Sequence, residues 1–373
     1  MILITNFDLP NIKNEIPMKQ IAKLFFLTIL LLSVLSVNAQ INLTDSSNIW
    51  STQKANAWYA NHKWINGANF TPSTAINQLE MWQADTFDSR TIDRELGYAE
   101  SIGFNTMRVF LHSLAWDADK TGFKKRVNNY LTIADKHHIQ TIFVFFDDCW
   151  NAQPKAGKQP EPKLGIHNSG WVQDPGRELN NVDYVQIRAY VEDILTSFKH
   201  DKRILLWDLY NEPGNSGKGE KSFELLSSIF KWAHAIKPDQ PVSAGLWNWD
   251  FKKLNDFQIK NSDVITYHDY DSPENHQQKI QELKKIGKPL ICTEYMARLR
   301  NSTFENTMPM LKKESIGAIN WGLVSGKTNT IYAWDTPIPN GEEPKLWFHD
   351  IFRKNGEPYK KEEIELIKKL NEK

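Results

Sequence analysis

An excess of charge of either sign is missing from this chain: 45 Lys and Arg balance 45 Asp and Glu over 373 residues. Without a basic field, nothing draws in nucleic acid or an anionic lipid surface, and both partner classes are set aside. Cysteine is almost absent. Cys149 and Cys292 fall at or near the ends of separate expected strands, where they read as packed thiols, and two residues alone do not specify a disulfide. No internal repeat, linker or low-complexity segment interrupts the sequence. No glycine-rich phosphate loop follows the first expected strand, which argues against an open doubly wound nucleotide-binding sheet. No His-x-His stands on that strand either, and the two adjacent acids Asp147 and Asp148 have no third ligand at metal spacing, so no metal and no other cofactor is expected.

Only one long apolar run exists, Leu24 to Val37, and it is short for a membrane span. Lys19 and Lys23 precede it, and Val37 and Ala39 form a small-residue pair ahead of Gln40, the pattern of a secretory leader. Residues 1–39 are therefore expected to be a signal peptide, with Met18 as a second candidate start because the polar stretch before it is unusual ahead of such a leader. No cysteine follows the cut, so lipid anchoring is not expected. The mature chain, 40–373, is expected to be a single secreted or periplasmic domain with no membrane insertion once the leader is removed. Nothing in the sequence sets an oligomeric state.

What is abundant is apolar and aromatic: 40% hydrophobic residues and 14 Trp. Flat indole faces suit both the packing of a large core and the stacking of pyranose rings, and composition alone leaves the two open. Eight near-continuous apolar runs are expected as strands: 65–70, 104–111, 140–146, 204–211, 241–246, 264–270, 289–295 and 317–324. Between them, apolar residues at three and four spacing mark helices over 93–103, 123–138, 182–200, 222–237, 273–286 and 304–314, a weak one near 255–262, and a closing one from Lys360. Strands buried on both faces lose polar alternation, so the pattern predicts an α/β fold, a (β/α)8 TIM barrel. The long loops at 71–88, 149–176 and 328–350 follow the C-terminal ends of strands, where such a barrel keeps its active site.

The stretch "WDLYNEPGN", Trp207 to Asn215, carries the chemistry. Pro213 and Gly214 stop the fourth strand, leaving Asn211 and Glu212 at its end, and "ICTEY" leaves Glu294 at the end of the seventh. In a closed barrel the two carboxylates face one cleft. One can protonate a leaving oxygen while the other attacks the sugar carbon or activates water, which is the apparatus of glycoside hydrolysis.

"YNEP" with "TEY" resembles the clan A retaining glycoside hydrolases, in particular glycoside hydrolase family 5, the cellulase, mannanase and xylanase-like barrels, over about Trp64 to Trp321. The resemblance implies that Glu212 is the acid/base, Glu294 the nucleophile, and Asn211 the amide that holds the sugar 2-hydroxyl. It further implies that Arg108 in "NTMRVF" lies beside the nucleophile, where a fixed cation is expected to keep Glu294 ionised and depress its pKa, that His268 and Tyr270 in "YHDY" form the strand-six His-x-Tyr, and that Trp321 is the floor under the reacting sugar. Asp148 and Trp150 in "FFDDCW" depart from the family's usual strand-three residues and are candidate sugar contacts. Glu80, Trp82, Trp171, Trp247 and Trp249 are loop residues suited to outer subsites or to packing. The expected function is hydrolysis of O-glycosidic bonds in a β-linked oligosaccharide or polysaccharide, of the β-1,4-glucan, mannan or xylan class, by double displacement. A barrel that binds glycans without cutting them is the alternative; it would keep the aromatics and lose a carboxylate, whereas both are present.

Overall fold

The strands are buried along almost their whole length on both faces, which is why they read as unbroken apolar runs. The computed structural model describes residues 48–176 and 182–372, so the expected leader lies outside the described residues. Eight parallel strands appear: β1 (Asn66–Asn69), β2 (Thr106–Phe110), β3 (Gln140–Asp147), β4 (Ile204–Asn211), β5 (Val242–Ser243), β6 (Ile265–His268), β7 (Leu290–Glu294) and β8 (Gly317–Asn320). Their order is β5-β4-β3-β2-β1-β8-β7-β6. The remaining gap is spanned by a parallel bridge between Leu246 and Tyr267, with Leu246 N donating to Thr266 O at 3.0 Å and His268 N to Leu246 O at 2.8 Å. The fold is a TIM barrel.

Register sets the height of each side chain. Asn69 pairs with Arg108 across β1 and β2, Asp147 with Asn211 across β3 and β4, and His268 with Glu294 across β6 and β7. The polar residues of neighbouring strands therefore emerge together at the C-terminal rim. Close packing of β1 on β2 requires Gly67, since a Cβ there would lie 1.6 Å from Thr106 O.

The opposite mouth is closed by a helix that the apolar pattern did not predict, Thr52–Ala60, capped by the Ser51 hydroxyl. Trp50 and Ala55 pack there on Ile65, Ile142, Leu206, Ile291 and Ile319 inside the barrel. Two more short helices were also unforeseen, Gln78–Trp82 and Ser113–Ala118, begun by the side-chain caps of Asn77 and His112. Each is too short to show a period. The weak fifth helix forms at Lys252–Asn261. The fifth strand is shorter than expected because its ladder with β4 covers only Val242 and Ser243.

The three long loops are knitted to one another. Asn77 Nδ2 donates to Gln159 Oε1 at 2.8 Å, Lys327 Nζ to Glu80 Oε1 at 2.7 Å, and Asn168 N to Thr328 O at 2.8 Å. The loop after β8 is tied down from below by Arg298, whose Nη1 donates to the carbonyls of Trp347 and His349. Its Nε and Nη2 meet Glu363, on the closing helix Lys361–Asn371, at 2.8 and 2.6 Å. Both side chains are buried, so Glu363→Ala strands a cation and should cost about 3–5 kcal/mol. A urea unfolding series measures this; a loss below about 1 kcal/mol would mean that water reaches Arg298.

Candidate active site

Arg108 stands at the centre of the rim and is fully buried. Its Nε donates to Asp208 Oδ2 at 2.9 Å, its Nη1 to Asn69 Oδ1 at 2.8 Å and to Glu294 Oε1 at 2.9 Å, and its Nη2 to Asn211 Oδ1 at 2.7 Å. This contact orients the Asn211 amide, with its oxygen toward Arg108 and its nitrogen toward β3. That nitrogen donates to Asp147 Oδ1 at 2.9 Å and lies 3.4 Å from Cys149 Sγ.

Glu294 receives a second donor, the Tyr270 hydroxyl, at 2.9 Å on Oε2. Glu212 sits past the end of β4 in the left-handed region, φ 46, a backbone cost of about 1–3 kcal/mol that the surrounding contacts must hold in place. His268 Nδ1 lies 2.8 Å from Glu212 Oε1, and the Cys149 thiol donates to Oε2 at 3.2 Å, as does the Asn215 amide. One carboxylate oxygen of each Glu and a ring nitrogen of His268 lie within 4.8 Å of one another. Among the described residues this is the one cluster close enough to ligate a metal, but the Arg108 guanidinium on Glu294 already supplies a fixed cation there and opposes another.

Burial governs the ionisation of these groups. It pushes Glu212 above the usual carboxylate range. It also pushes Glu294 up, against the expectation that Arg108 would hold it below that range; repulsion from Glu212 adds to the desolvation, and the Arg108 charge and the Tyr270 hydrogen bond offset only part of it. The Arg108 guanidinium and the Tyr270 hydroxyl both donate to Glu294, and these contacts favour its ionised form. Desolvation drops His268 to about 4, so its ring is neutral near pH 7. Asp147 is raised to about 6 by burial, against the pull of Trp171, Asn211 and the Cys149 N–H, and remains charged at neutral pH.

The cleft above these groups has a volume of ≈ 640 Å³, and among the described residues no Lys or Arg lines it. Glu212, Glu294, Asn211, Tyr270, Trp321 and Trp150 all face it, and so do Trp171 and Trp247. Arg108 and His268 lie beneath, buried behind the carboxylates rather than on the surface a ligand would meet. Asp148 is a correction. Neighbouring residues on a strand point to opposite faces, so with Asp147 inward Asp148 turns away from the cleft. It accepts from the Tyr210 hydroxyl, Gly214 N, Ser222 Oγ and Lys218 Nζ, and so anchors the loop after β4. Trp82 is core, packed among Phe87, Phe123, Tyr130 and Phe143. Glu80 pairs with Lys327, and Trp249 lies under Lys279. Residues that sequence reasoning passed over also line the cleft: Cys149, His167, Asn168, Asn215, Trp334 and His349. Both cysteines are free.

Residues 167–322 match the family model described as "Glycosyl hydrolases family 2, TIM barrel domain". This segment contains both glutamates and Trp321. Over this segment the chain is similar to the glycoside hydrolase barrels, and the protein is a glycosidase. The matched model is that of family 2, whereas the sequence motifs resemble family 5. No curated protein sequence matches the chain. Solved structures share the glycosidase's fold at low identity. The endo-β-1,4-mannanase from Thermotoga petrophila is 15% identical with a TM-score of 0.52, over 83% of this chain and 77% of that one. The exo-β-1,4-mannosidase from an Opitutaceae bacterium is 15% identical with a TM-score of 0.56, over 83% and 59%. The GH5_18 protein from Streptomyces cattleya, in complex with GlcNAc, is 12% identical with a TM-score of 0.55, over 82% and 79%.

The Arg108 contact on Glu294 gives the glycosidase a pH signature. Arg108→Met removes the cation, so the acidic limb of the kcat/KM profile, which reports the group that must be ionised, should move to higher pH by about a unit or more. Circular dichroism must show a retained fold, since Asp208 loses its partner as well. A limb that stays in place in a folded variant would make Arg108 a structural residue only.

Proposed function

We propose that the protein is a retaining β-glycoside hydrolase acting on a neutral β-linked glycan. Glu294 is the nucleophile and Glu212 the acid/base. The observation that carries this reading is the short separation of the two carboxylates, with oxygens within 4.8 Å. Retaining enzymes hold the pair about 5–5.5 Å apart, whereas inverting ones leave roughly 6.5–9.5 Å for a water between them.

In the first step Glu294 attacks the anomeric carbon as the glycosidic bond breaks, and the Glu212 proton passes to the departing oxygen. In the second, Glu212 takes a proton from water, whose oxygen displaces the sugar from Glu294. Both carboxylates are then as they began. Asn211 Nδ2 exchanges its weak 3.4 Å contact with Cys149 Sγ for the sugar 2-hydroxyl, and Trp321, braced edge-on by Phe110 at 5.8 Å and Trp171 at 5.7 Å, is the platform beneath the ring. A cleft with no cationic lining among the described residues suits neutral sugars rather than uronates or sulfated chains. Among the β-1,4-glucan, mannan and xylan classes, mannan is tried first, because structural neighbours with TM-scores above 0.5 include a mannanase and a mannosidase. The leader at 1–39 would place this activity outside the cytoplasm. No helix among the described residues is long and apolar enough to cross a membrane.

Two measurements test the roles. Glu212→Ala should slow substrates with poor leaving groups by about 100-fold or more while sparing activated aryl β-glycosides in the first step, and azide should partly rescue it. Equal losses on both substrate types would overturn the acid/base assignment. A 2-deoxy-2-fluoro glycoside of an accepted sugar should leave a covalent adduct on the peptide carrying Glu294, because the fluorine slows both steps while a good leaving group lets the first proceed. A label on another residue would remove Glu294 as nucleophile.

A further inference from the structure

At the end of the cleft formed by the loops after β3 and β8, two buried acceptors, His349 Nε2 and Asn168 Oδ1, lie without partners beside the ring of His167. His167 Nδ1 lies 2.8 Å from Tyr332 O, and His349 Nδ1 lies 2.7 Å from Met296 O. A carbonyl can only accept, so each Nδ1 carries the proton. Each Nε2 is then a bare lone pair unless the ring is charged. Burial opposes the charge: His167 is pushed down to about 4, and His349 well below its ordinary range. His349 Nε2 has no hydrogen-bond partner and neither has Asn168 Oδ1. His349 is 0% exposed and Asn168 2%.

Aromatic faces enclose these groups. Trp150 lies 5.5 Å from His167, Trp334 5.6 Å from His349, and Tyr270 5.0 Å from Trp334. Tyr270 also donates to Glu294, so the box shares a wall with the reacting centre. A buried acceptor left unmade costs about 1–3 kcal/mol, and two of them beside His167 in the lining of one cleft make a place that is completed by a ligand rich in O–H donors. A metal ion fits poorly, because no group of three ligating side chains includes either histidine among the described residues.

We propose that His167, Asn168 and His349 form a distal subsite, walled by Trp150 and Trp334, that takes one neutral pyranose ring of the substrate and accepts hydrogen bonds from its hydroxyls. This rests on the glycosidase reading above and adds a specificity site to it, away from the bond that is cut.

The test uses His167→Phe and His349→Phe, which keep a ring and remove the acceptor, and His167→Gln, which keeps an acceptor. Each is assayed on an aryl β-monoglycoside and on a β-linked tetrasaccharide of the same sugar. On the tetrasaccharide, kcat/KM should fall on the order of tenfold through KM for the Phe variants, with His167→Gln recovering most of it, while the monoglycoside changes less than twofold. Equal losses on both substrates would reduce the box to a structural role, and no loss on either would remove the subsite while leaving the glycosidase reading intact. If the wild-type protein cleaves no glycoside, that reading fails separately, and the subsite is tested by tryptophan fluorescence titration with neutral β-linked tetrasaccharides. Binding that weakens in His167→Phe keeps the subsite; no binding to the wild-type protein overturns it.

Discussion

The buried guanidinium of Arg108 is the constraint on which the cleft depends. It leaves β2 and reaches acceptors on β1, β4 and β7 at once: Asn69, Asp208, Asn211 and Glu294. A charge removed from water must be paired and hydrogen-bonded or the barrel would not tolerate it. Asp208, equally buried and 2.8 Å from Nη2, supplies the compensating charge deep in the barrel. The remaining donors are then committed to groups at the rim. Because the planar fork is rigid, fixing its inner edge on Asp208 also fixes where Asn211 and Glu294 can sit.

From that anchor the two glutamates acquire different surroundings although they lie within one hydrogen-bonded cluster. Glu294 faces a permanent cation and a phenol, both donors, which favour the ionised form. Glu212 faces a neutral imidazole, a weak thiol donor and an amide, in a backbone conformation with φ 46, and burial pushes it above the usual carboxylate range. Two similar side chains set apart in this way can give and take a proton in turn. The imidazole of His268 lies between them, with Nδ1 2.8 Å from Glu212 and Nε2 3.5 Å from Glu294, so it couples the titration of one to that of the other.

Much of this was legible in the sequence where local chemistry and strand ends coincide. Apolar runs buried on both faces marked all eight strands, and Pro213 with Gly214 marked the end of β4 so closely that Asn211 and Glu212 could be placed on the rim. Asp148 was misread because adjacency in sequence hides which of two neighbours points inward, and only the register of Asp147 against Asn211 decides it. The depression expected for Glu294 failed for a related reason: the pattern reveals a nearby cation but not how completely the carboxylate is desolvated. His167, Asn168, Trp334 and His349 left no signal, since they belong to loops without periodicity and meet only through contacts such as Asn168 N on Thr328 O. The helix Thr52–Ala60 that seals the lower mouth was missed because it is short and weakly amphipathic, and its place is set by tertiary packing.

The double displacement is tested most directly by the configuration of the first-formed product. Proton NMR during cleavage of an accepted aryl β-glycoside by the wild-type protein should show the β-anomer of the released sugar before mutarotation converts it. An initial α-anomer would mean a single displacement by water, and would contradict the assignment of Glu294 as the nucleophile that Arg108 holds in place.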